Sequence, residues 1–107
     1  MNVRLLAAAR VDAIDLADAY NQRSAGLGGR FLAAVDALVA TLTTHPRLYG
    51  RVPRSPAGRE VRQTLVPGFL ITAVYEVTPT EVLILSLTHA RSTRQPWRPR
   101  LPDPPAP

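Results

Sequence analysis

The chain has 107 residues, a net charge of +5, no cysteine and 46% apolar residues. That is one domain's length of chain, with enough apolar content to bury a thin core. Without cysteine, disulfides, thiol catalysis and thiolate metal sites are excluded. The two histidines, His45 and His89, lack zinc-site spacing, so neither a metal nor a cofactor is expected.

All 13 basic residues are arginine, so every cation is permanently charged and no lysine can shuttle a proton. The charge is unevenly spread. Residues 1–46 carry four Arg and four Asp, whereas residues 47–107 carry nine Arg against Glu60, Glu76, Glu81 and Asp103. The second half should face a polyanion or an acidic partner. The chain has no run of about 18 apolar residues, and its short N-terminal apolar stretch is broken by Arg10. Neither a membrane span nor an export signal is expected, which makes the cytoplasm the expected compartment.

Residues 3–7 read as a short opening strand. From residue 9 to residue 22 the pattern turns helical, with Ala9, Ala13, Leu16, Ala17 and Tyr20 on one face. The Gly-rich stretch 24–29 breaks that helix. A second helix runs over residues 29–44 on Phe31, Val35, Leu38 and Leu42. It stops at His45-Pro46, because proline disfavours the helical state in the residue before it. Two helices joined by a short turn make an antiparallel hairpin. A Pro- and Gly-containing loop then leads to three strands, near residues 60–66, 69–77 and 81–89. The last is apolar on both faces, as suits a central strand. The expected architecture is α+β, in the order β-α-α-β-β-β, with the helical hairpin packed on a mostly antiparallel sheet. One domain is expected over residues 1–97. Residues 98–107 are Pro-rich and expected to be extended or disordered.

Few residues suggest chemistry. Arg59 and Arg62, three apart on a strand, should point to opposite faces. Arg62 is a candidate site residue, with a surface arginine or an ion pair to Glu76 as the plainer reading. His89 and Arg91 close the last strand, and a histidine among arginines holds its proton weakly enough to act as a base near neutral pH. Arg91, Arg94, Trp97 and Arg98 form the densest basic stretch. With its aromatic, that stretch suits a nucleic-acid or acidic-peptide surface. The plainer reading has Trp97 anchoring the tail to the core.

In order and spacing, four segments together resemble the RelE/ParE toxin superfamily. Asp15-Leu16 sits in the first helix, as in the family's A..DL pattern. Residues 31–42 with His45-Pro46 resemble its second helix and terminal proline. The run from Arg62 through Val66-Pro67-Gly68 to Val74-Tyr75-Glu76-Val77 resembles R-E-L-V-V-P-G…V-Y-x-V, with the same Arg-to-Tyr spacing. Residues 82–91 resemble its closing strand with an H-x-R end. The resemblance implies a toxin neutralised by a cognate antitoxin in a hetero-oligomer. Its target is DNA gyrase if ParE-like, or mRNA cleaved on the ribosome without metal if RelE-like. In the second case Arg62, His89 and Arg91 would be catalytic. RelE-like enzymes place an arginine shortly before the Tyr of the central strand; here that neighbourhood reads Ile71-Thr72-Ala73-Val74-Tyr75. This departure, with the V-P-G segment, favours the ParE-like branch. Neither branch identifies the antitoxin-contact residues.

Overall fold

A computed structural model describes residues 1–103. Its elements are β1 (Asn2–Leu5), α1 (Ala7–Arg23), α2 (Leu27–Thr44), β2 (Val61–Leu65), β3 (Ile71–Val77), β4 (Glu81–His89) and a short α3 (Trp97–Arg100). The four strands form one sheet in the order β1-β4-β3-β2. The three C-terminal strands are antiparallel neighbours, and β1 joins β4 in parallel. The α+β architecture expected from the sequence is therefore present, on a mixed sheet with two antiparallel pairings and one parallel.

The helical hairpin covers one face of the sheet. α1 turns Ala9, Ala13 and Ala17 inward, and α2 turns Phe31, Val35, Leu38 and Leu42 inward. They meet Ile71, Ala73, Tyr75, Val77, Val82, Ile84 and Leu87 of the strands. The alanines of α1 let its backbone sit low on the sheet, while the larger residues of α2 fill the remaining volume. α2 is 18 residues long and, by length and composition alone, apolar enough to cross a membrane. Here its apolar stripe is consumed by the core.

The turn between β2 and β3 pins the hairpin down. Gly68 adopts φ 81°, a value that favours glycine. Phe69 then packs against Tyr20 and Phe31, with ring centroids 5.1 and 5.2 Å away. The V-P-G-F run is thus a clasp between sheet and helices.

The second face of the sheet is only partly covered. Val61, Val74, Leu83 and Leu85 form a smaller core with Val52 and Trp97. Val52 comes from the loop after α2, which lies along the outer edge of β2 through Val52 N–H to Val61 O (3.0 Å) and Gln63 N–H to Gly50 O (3.1 Å). Trp97 comes from the stretch after β4. The Pro-rich region expected to be extended from Arg98 instead opens in a helical turn, Trp97–Arg100. The turn forms because Trp97, 4% exposed, inserts into this core and Arg100 pairs with Asp12. Packed structure thus continues past the expected boundary at residue 97; residues 104–107 of the expected tail lie outside the described residues.

The crossing of α1 and α2 depends on one glycine. A Cβ on Gly28 would lie 2.3 Å from the Ala17 carbonyl oxygen, whereas one on Gly29 would meet nothing within 4 Å. The Gly28 N–H also donates to Asn21 Oδ1 at 2.8 Å. Thermal unfolding should separate the two positions. Gly28→Ala should cost about 1–3 kcal/mol by forcing the helices apart. Gly29→Ala should be neutral or stabilise by up to about 1 kcal/mol through helix propensity. Equal effects would contradict this account of the crossing.

Candidate functional site

Arg62 is held in place by its neighbours. It pairs across the ladder with Tyr75, so its side chain leaves the sheet on the helical side. There Nε donates to Glu60 Oε2 (2.8 Å) and Nη1 to the Tyr49 carbonyl (2.7 Å). Arg47 binds the same carboxylate. Burial would raise the pKa of Glu60, but hydrogen bonds from Arg62 and Arg47 outweigh it and hold the carboxyl below its ordinary range. Glu76, suggested by sequence as an ion-pair partner of Arg62, belongs to Arg59 on the opposite face. Arg59 Nη2 donates to Glu76 Oε1 at 2.8 Å. That hydrogen bond outweighs burial and raises the pKa of Arg59. The expectation that Arg59 and Arg62 point to opposite faces holds.

His89 and Arg91 lie elsewhere. His89 pairs with Ile71, four residues along β3 from Tyr75, and sits on β4 rather than β2. Four residues span roughly 13 Å along a strand, and two strand spacings add roughly 10 Å across. Arg62 therefore does not converge with His89 and Arg91. The three-residue catalytic set is not assembled, because the ladder register fixes its members at different levels. His89 is exposed, accepts the Arg91 N–H at Nδ1 (3.2 Å), and borders a cleft with Leu16, Tyr20, Arg23 and Ile71.

The basic stretch after β4 divides into an inner and an outer part. Trp97 is buried and Arg98 lies over its ring, 4.3 Å from the centroid. Arg98 also donates to the Arg54 carbonyl (3.2 Å) and to Gln95. Of the residues read from sequence as target contacts, Trp97 fills the second core and Arg98 ties the turn to the loop at residues 53–54. Arg91 and Arg94 are exposed, and among the described residues neither is in a salt bridge.

Arg94 stands at the rim of a groove of about 350 Å³ on the second face of the sheet. Gln63, Thr72, Val74 and Thr88 line its floor, and Val52, Pro53 and residues 92–95 its sides. Of its lining, the sequence named His89, Arg94 and Trp97 but not the strand residues of the floor. Its polar members alternate with core residues on β2 and β3, a signal that becomes useful only once the register assigns Gln63 and Thr72 to the face away from the helices.

Across all this geometry the class is clear: a two-helix hairpin on a β1-β4-β3-β2 mixed sheet. The same fold occurs in a chain of the chromosomal ParDE TA system from P. aeruginosa, with a TM-score of 0.61 and 20% sequence identity over 83% of this chain and 95% of that one. At this identity the likeness is one of fold, and it agrees with the RelE/ParE-like, ParE-leaning resemblance in the sequence. The sequence matches no family model and no curated protein.

One buried group offers a chemical check on the site. The Tyr75 hydroxyl is fully buried and, among the described residues, has no hydrogen-bond partner, and burial pushes its pKa up from 10.0 to about 12. The neutral phenol is thus favoured in the fold. Its contribution is complete below pH 10 and is lost as pH rises towards 12, where the unfolded chain ionises first. Urea unfolding should show Tyr75→Phe neutral or stabilising by about 1 kcal/mol at pH 7, because it removes an unpaired buried hydroxyl. The variant should also lose less stability than the parent between pH 9 and pH 11. A loss of more than about 2 kcal/mol at neutral pH would mean that the hydroxyl has a partner.

Proposed function

We propose that this chain is the toxin of a type II toxin–antitoxin pair, acting in the cytoplasm by ParE-like poisoning of DNA gyrase and held silent by a cognate antitoxin in a hetero-oligomer. The observation that carries the reading is the fold shared with a chain of a ParDE TA system over 95% of that chain. The dispersal of Arg62, His89 and Arg91 supports the gyrase branch over the RelE-like one. A metal-free ribonuclease needs a base, a phosphorane stabiliser and an acid around a single phosphate.

Support for an antitoxin comes from the outer side of the hairpin. Val11 and Ile14 are 56% and 58% exposed, and Leu32 is 41% exposed. Ile14 and Leu32 line a cleft with Leu5, Ala13 and Val35. Such a patch suits an amphipathic segment that folds on binding. In this reading Arg91 and Arg94 are the target-contact residues, and the toxin domain extends past Trp97 to include Arg100.

The test is gyrase supercoiling with purified chain. Inhibition with trapped cleaved DNA is expected. The double variant Arg91→Glu/Arg94→Glu should reduce inhibition at least about tenfold with an unchanged circular dichroism spectrum. Cleavage of ribosome-bound message with gyrase untouched would replace this reading with the RelE-like one.

A further inference from the structure

We infer that the groove on the second face of the sheet is a docking site for an extended acidic peptide segment bearing aliphatic side chains. The inference goes beyond the toxin reading and stands without it, because the groove's chemistry is independent of which protein supplies the segment.

Three observations carry it. First, the groove has no acidic residue in its lining, and the sequence has none between Glu81 and Asp103. Arg94 stands on its rim and Arg91 lies three residues earlier in the same turn, both exposed. That turn is braced by Ser92 N–H to His89 O (2.9 Å) and Arg94 N–H to Ser92 Oγ (3.2 Å), so the arginines spring from an ordered backbone. A carboxylate there meets guanidinium groups that are in no salt bridge among the described residues.

Second, the groove continues into apolar surface. Leu65, paired with Thr72 and therefore on the same face, is 49% exposed, and Leu70 of the same turn is 54% exposed. Leu70 is joined to the far side of the groove, its carbonyl accepting the Ala90 N–H (2.9 Å). Exposed leucines beside a cationic rim match a chain that carries both carboxylates and aliphatic side chains.

Third, among the described residues the groove has no exposed Phe, Tyr or Trp for single-stranded nucleic acid, its one exposed ring being the imidazole of His89. Bases bind by stacking on exposed aromatic rings. The one tryptophan, Trp97, reaches the groove wall but is only 4% exposed, with Arg98 across its ring. Hydroxyl and amide side chains of Thr72, Thr88 and Gln63 on the floor suit the main-chain groups of a peptide.

The experiment is an NMR titration of the isotope-labelled full chain with a blocked octapeptide alternating Glu and Leu. The same peptide with Gln for Glu and a thymidine oligonucleotide serve as comparisons. The Glu/Leu peptide should shift the amides of Thr72, Val74, Thr88 and Arg94, and the Gln/Leu peptide should bind several-fold more weakly. Arg94→Glu and Leu65→Ser should each weaken binding roughly fivefold or more. Arg23→Glu, which alters the cleft on the helical side, should leave it unchanged. Shifts confined to another face, equal binding of the Gln/Leu peptide, or stronger shifts of these amides by the oligonucleotide would each overturn the proposal.

Discussion

β1 is four residues long and pairs only with residues 81–84 of β4, so the ladder ends while β4 continues to His89. Main-chain groups of β4 beyond that point lack a strand on this side, and a buried backbone group without a partner costs about as much as a lost hydrogen bond. Asp12 of α1 accepts the Leu87 N–H at Oδ2 (3.1 Å), and Arg100 of α3 donates Nη1 to the Leu85 carbonyl (3.0 Å). The two side chains also pair with each other, Nη1 to Oδ2 at 2.7 Å. One ion pair thus substitutes for the missing strand and joins the helical layer to the second-face layer at the sheet edge. With the buried Trp97, this pair anchors α3, and with it the end of the stretch that leads from the turn bearing Arg91 and Arg94.

That arrangement changes the meaning of the positive charge. Arg4, Arg47, Arg59, Arg62 and Arg100 are in ion pairs within the described residues, and Arg98 is bonded to carbonyl groups and Gln95. These arginines hold strands, loops and helices together; guanidinium, with its fork of donors, bridges several acceptors at once. The Arg59–Glu76 pair is the most enclosed, with side chains 15% and 5% exposed. Removing one partner of such a pair leaves a buried charge and is expected to be far more damaging than replacing both. Seven arginines, residues 10, 23, 30, 51, 54, 91 and 94, are outside these contacts among the described residues, and two of them, Arg91 and Arg94, lie in one short turn.

Much of the fold was legible in the sequence because local patterns carry it. The stripe Phe31, Val35, Leu38, Leu42 specified the buried face of α2, and the doubly apolar run of β4 specified a central strand. The alanine stripe of α1 gave the same kind of signal. What was not legible depends on distance along the chain. Asp12 and Arg100 are 88 residues apart, and neither has a neighbour that announces the pairing. The Pro-rich composition after Pro96 argued for an extended tail, but Trp97 had a pocket to fill, and tertiary burial overrode local preference. The assignment of Glu76 to Arg59 rather than Arg62 likewise required strand register, because a one-residue shift moves every side chain to the other face.

Register also decides what the fold can do chemically. A strand-borne catalytic group can act with another only if both leave the same face at nearby levels of the ladder. Arg62 and His89 share a face but not a level. Arg62 is further committed to Glu60 and the Tyr49 carbonyl, bonds that would have to break before it could approach a phosphate. Among the arginines without an ion pair in the described residues, Arg91 and Arg94 stand beside a groove of hydroxyl, amide and aliphatic groups and offer it hydrogen-bond donors. Thr72, in the stretch leading to Tyr75, lies on the groove floor, away from Arg62 on the opposite face, so the register itself separates the two.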